Sequence, residues 1–108
     1  MSTPVRTTPT SHWPPDLLDF ATRRQVGDLL DPLRLALERL FPTAQSIRAH
    51  LEEDLEIRDD RHLTFEVRVP RADVPDFAAA KWRWHEELFR LCPAPSACLF
   101  RLTLLRVA

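Results

Sequence analysis

From Ile47 to Val69 apolar and polar side chains alternate. The odd positions Ile47, Ala49, Leu51, Leu55, Ile57, Leu63, Phe65, Val67 and Val69 are apolar. Between them stand Arg48, His50, Glu52, Asp54, Glu56, Arg58, His62, Thr64, Glu66 and Arg68. A period of two describes strands with one buried face. The polar break Arg58-Asp59-Asp60-Arg61-His62 describes a hairpin. With Asp59-Asp60-Arg61 as its loop, Ile57 faces Leu63, Leu55 faces Phe65 and Leu51 faces Val69. Glu53 interrupts the inner face opposite Val67 and marks a bulge or the rim of the core. Ala44, Ile47 and Leu51 also fit a helical period, so 43–53 has a competing helical reading.

Helical periodicity flanks the hairpin. Val26, Leu29, Leu30, Leu33, Leu37, Leu40 and Phe41 form one stripe. Pro32 divides it, because proline lacks the N–H and disfavours helical geometry at the residue before it. The expectation is one helix over about 16–29 and a second over about 32–41, with Asp31 as N-cap and Pro32 at the first position. A single helix kinked at Pro32 is the alternative. Beyond Pro70, Asp73 reads as an N-cap, with Pro75 in the first turn of a helix to about Leu91. Cys98 to Val107 reads as a strand. Its outer face carries Leu99, Arg101, Thr103, Leu105 and Val107, too apolar for plain exposure, so it is either a central strand or one that meets another chain.

The expected fold is therefore α+β, in two layers. N-terminal helices and one later helix pack on one face of a small three-stranded sheet, a hairpin plus a crossover strand, in the order α-α-β-β-α-β. With 108 residues the chain makes one domain. Residues 16–108 form it, and the Ser-, Thr- and Pro-rich residues 1–15 read as an extended or disordered tail. Trp13 stands out there, and docks on the domain or on a partner.

A net charge of −1 makes no global basic field, so neither nucleic acid nor a membrane surface is expected as partner. Charge is segregated along the chain: residues 51–75 hold eight acids against four bases, and 76–108 three acids against five bases. A dipolar surface of that kind suits self-association or a charged partner. A leader and a membrane span are not expected, and the cytoplasm is the default compartment. Cys92 and Cys98 read as buried thiols, separated too widely for a redox or zinc pair.

Two groups of residues have chemical potential. On a wheel at about 100° per residue, Lys81 and His85 fall one turn apart inside a broad apolar arc of the third helix, flanked by Trp82 and Trp84. A desolvated lysine beside a proton relay is a candidate nucleophile or base. The structural alternative is a lysine stem laid on an indole. On the outer face of the hairpin, His50, Glu52, Asp54, Glu56, His62 and Glu66 suggest a divalent metal, against the plainer reading of a solvated charge ladder. No cofactor is expected. The functional expectation is a non-catalytic protein-interaction or self-association module, working as a homodimer or with a protein partner. Its binding residues would be Leu99, Arg101, Leu105, Val107, Trp82 and Trp84. A small-molecule site or enzyme using Lys81 and His85 is the alternative.

Overall fold

The computed structural model describes residues 13–53, 61–97 and 99–107. The elements follow the expected order. They are α1 (Pro15–Arg23), α2 (Leu30–Leu40), β1 (Ser46–Glu53), β2 (Arg61–Pro70), α3 (Phe77–Leu91), the short α4 (Ala94–Ala97) and β3 (Phe100–Val107). β2 is the middle strand, antiparallel to β1 and parallel to β3. The helices cover one face of this sheet, in two layers.

The alternation places the inner face correctly. Leu63, Phe65, Val67 and Val69 of β2 are fully buried beneath the helices. The register differs from expectation. Leu51 pairs with Leu63, Ala49 with Phe65 and Ile47 with Val67. Leu51 therefore lies far from Val69. The slip is an even number of residues, and an even slip keeps every side chain on its own face. β1 ends at Glu53, which pairs with Arg61 at the rim and not with Val67. Leu55 and Ile57 lie outside the described residues, as does Cys98. β3 is an edge strand and not a central one, because it pairs with β2 alone.

Phe65 is the centre of the core. Its ring meets Trp13 edge-on at 6.0 Å, Trp84 edge-on at 5.8 Å and stacks on Phe100 at 6.4 Å. These three rings come from the start of the chain, from α3 and from β3. Trp13 is buried, and its indole N–H donates to Asp31 Oδ1 at 3.0 Å. Asp31 thus serves as an acceptor within α2 and not as its N-cap. The helix starts at Leu30, and Pro32 falls in the first turn, where an N–H has no helical acceptor.

α1 ends at Arg23, short of the expected boundary, in a Schellman closure. Val26 N–H donates to Ala21 at 2.8 Å and Gln25 N–H to Thr22 at 3.1 Å. Gln25 takes the left-handed conformation this closure needs, with φ 61°. A turn over Gly27–Leu29 then leads into α2. α3 also starts later than expected. Asp76 is its N-cap, accepting from Ala79 N–H at 3.0 Å, while Asp73 accepts from the Thr43 hydroxyl at 2.8 Å. Pro75 holds Val74 out of the helical region, so the helix cannot begin until proline is passed.

Two substitutions test this account by urea denaturation. Gln25→Gly removes the penalty on a left-handed residue and should stabilise the domain by about 1 kcal/mol. Phe65→Ala should destabilise it by about 3–5 kcal/mol, the usual range for an aromatic ring lost from a core.

Candidate functional site

α3 is amphipathic over a narrower arc than its sequence suggests. Ala80, Trp84 and Leu88 face the core. Trp84 lies against Phe65, inside the molecule, and so presents nothing to a partner. The outer part of the same arc reaches solvent. Ala78, Trp82, His85 and Phe89 are all exposed, Trp82 at 65% and Phe89 at 62%. Their spacing of four, three and four residues sets them in one line along the helix. The His85 ring stacks on Phe89 at 6.2 Å, with 22° between the planes. The result is an aromatic ridge.

Lys81 lies between ridge and sheet. Its ammonium donates to the Leu102 carbonyl at 2.6 Å and sits 5.8 Å from the Phe77 ring centre. Arg106 covers the same ring at 5.3 Å and donates to the Val74 carbonyl at 3.4 Å. Lys81 therefore turns toward Phe77 and His85 toward Phe89, four residues away in opposite directions along α3. The structure does not bring the two heads together over one reacting atom.

The outer sheet face holds a second constellation. Glu52 accepts from three side chains. His50 Nε2 lies 2.9 Å from Oε2, His62 Nε2 lies 3.1 Å from Oε1, and the Thr64 hydroxyl donates to Oε1 at 2.7 Å. Cross-strand pairing of His50 with Thr64 and of Glu52 with His62 sets this geometry. The hydrogen bond from His50, then those from Thr64 and His62, hold the Glu52 carboxyl down to about 2. His62 and Thr64 are buried although they stand on the outer face, and His62 Nδ1 has no hydrogen-bond partner.

Glu66 takes no part in that cluster. It pairs across the sheet with Arg48 and lies 4.0 Å from Arg68. Asp54 and Glu56 fall outside the described residues. Among the described residues, no three His, Cys, Asp or Glu side chains could hold a metal ion. The cluster ties β1 to β2 through charge-assisted hydrogen bonds.

The remaining sequence candidates do not share one surface with the ridge. Arg101, Leu105 and Val107 stand on the outer sheet face, Arg101 exposed and the other two half-buried, with half-buried Leu99 just ahead of the strand. Trp82 belongs to the helical layer on the other side. Cys92 is buried at the end of α3, and burial pushes its thiol up. The sequence contained the ridge spacing, but the broad apolar arc merged it with the core stripe. Thr64 escaped notice because a threonine in an alternating strand is ordinary.

No protein family model, no characterised protein and no solved structure matches this chain.

The Glu52 cluster makes a pH-dependent contribution. A carboxyl held below its unfolded value stabilises the fold above about pH 4.5, and the contribution is lost as pH falls toward 2. The urea midpoint of the wild type should therefore fall between those limits. Glu52→Gln should flatten that part of the profile while leaving other carboxylates to titrate.

Proposed function

We propose that this domain is a non-catalytic protein-interaction module whose recognition surface is the aromatic ridge of α3. The observation that carries this reading is the exposure of Trp82 and Phe89 at 65% and 62% on one helical line. A monomeric domain gains nothing by leaving an indole and a phenyl ring in water. Large exposed apolar patches mark sites of interaction, and aromatic anchors dominate binding energy at interfaces. On the helix wheel Lys81 flanks the ridge on one side and exposed Glu86 on the other, so the flanks are mixed in sign and the apolar strip itself supplies the recognition. The alternative of an enzyme built on Lys81 and His85 is less well supported, since the lysine head is engaged by a backbone carbonyl and the histidine by a phenyl ring.

The test is co-purification from the native cell with wild-type domain and Trp82→Ser/Phe89→Ser in parallel, followed by titration of each recovered protein. A true partner should bind the double variant far more weakly, with about 30-fold lost for each anchor at 2 kcal/mol. Both forms should give the same circular dichroism, since neither ring supports the core. Equal recovery with both forms would remove the ridge from consideration.

A further inference from the structure

The two edges of the sheet are not alike. Backbone groups alternate in direction along a strand, so every second residue of an edge strand turns its N–H and C=O away from the sheet. Leu63 N–H donates to the Leu99 carbonyl at 2.7 Å. This turns the odd residues of β3 toward β2 and leaves Phe100, Leu102 and Leu104 facing outward. That edge is closed: Lys81 occupies the Leu102 carbonyl, and the three residues are only 4–6% exposed.

The edge of β1 is open. The even residues of β2 face β1, so Ile47, Ala49, Leu51 and Glu53 direct their backbone groups away from the sheet. Ile47, Ala49 and Leu51 are only half-buried. Two clefts lie along them. One of about 380 Å³ is lined by Trp13, Arg34, Ile47, Arg48 and Ala49. The other, of about 410 Å³, includes Phe20, Arg23, Leu51 and Glu53 among its walls. The Arg34 guanidinium reaches this edge and donates to the Ile47 carbonyl at 2.9 Å.

The outer face of β1 supplies the complementarity. It runs from basic to acidic along the strand: Arg48, then His50, then Glu52. An antiparallel copy of the same strand runs from acidic to basic. We propose that two copies of the chain join through their β1 edges, antiparallel about a two-fold axis, to make one continuous sheet. Pairing centred on Ala49 or on His50 satisfies the outward backbone groups and sets Arg48 of each copy beside Glu52 of the other. Centred on Ala49, it also sets Ile47 of each copy opposite Leu51 of the other, on the side where the clefts lie. Arg34 must release the Ile47 carbonyl for pairing to occur. α3 packs at the β3 side of the sheet, so the dimer leaves both ridges free, and this proposal does not depend on what the ridges bind.

Light scattering over micromolar to millimolar concentration tests it, on the wild type, Arg48→Glu, Arg34→Met and Trp82→Ser/Phe89→Ser. The wild type should be a dimer at the upper end. Arg48→Glu sets like charges against each other and should weaken the dimer at least about tenfold. Arg34→Met should tighten it, and the ridge variant should match the wild type. Amide exchange provides a readout free of any variant: protection at Ala49 and Leu51 should rise with concentration, while that at Leu102 and Leu104 should not. A wild type monomeric throughout would overturn the proposal. So would an Arg48→Glu form as dimeric as the wild type, or a dimer abolished by the ridge substitutions with β1 amides indifferent to concentration.

Discussion

The contact on which the rest depends is that between Phe65 and the three rings around it. Phe65 stands in the middle of the middle strand. Trp13, Trp84 and Phe100 reach it from three separate parts of the chain. Aromatic rings meeting edge-on or offset gain more than their buried area alone supplies. A small sheet with helices on one side has little other means of closing its ends. The ring cluster fixes where α3 lies on the sheet, and with it which side of α3 is left in water.

That side then inherits its character from the packing. Two residues apart on a helix means about 160° apart in direction, so Trp82 and Trp84 cannot share a face. With Trp84 committed to Phe65, Trp82 must point outward. Lys81, one residue before Trp82, lies between core and ridge and meets the edge of β3. The same geometry that exposes the ridge therefore also closes one edge of the sheet. On the far side, α1, α2 and Trp13 overhang β1 without sealing it, and Arg34 hydrogen-bonds that edge near one end.

Much of this was legible in the residues, and the omissions have physical causes. Period-two alternation identified both faces of β1 and β2, because side-chain parity is a property of the strand itself. Register is a property of the pair, and alternation is blind to a slip of an even number of residues. The same slip sets Glu52 opposite His62 and beside Thr64, where the expected register sets it opposite Arg68. Prolines marked the helix boundaries but not their phase: Pro32 was tolerated inside a first turn, whereas Pro75 delayed α3. The wheel of α3 described hydrophobicity and not burial. A helix lying on a flat sheet touches it along a narrow line, so a half-cylinder of apolar residues exceeds what the sheet can cover. Which part is left over depends on tertiary contacts such as that of Trp84 with Phe65.

The parallel pairing of β2 with β3 has a consequence for the order of folding. β1 and β2 are neighbours in sequence and can pair as soon as both exist, but Leu63 finds Phe100 only after the whole of α3 has been traversed. Contacts of such long separation form late, because the loop must close before they reward it. Until β3 arrives, β2 carries an unpaired side and Phe65 lacks one of its three rings. The interval between hairpin and crossover is thus when the chain is most exposed to wrong strand partners, and helix α3, with its Asp76 cap already local, is the element able to shorten it.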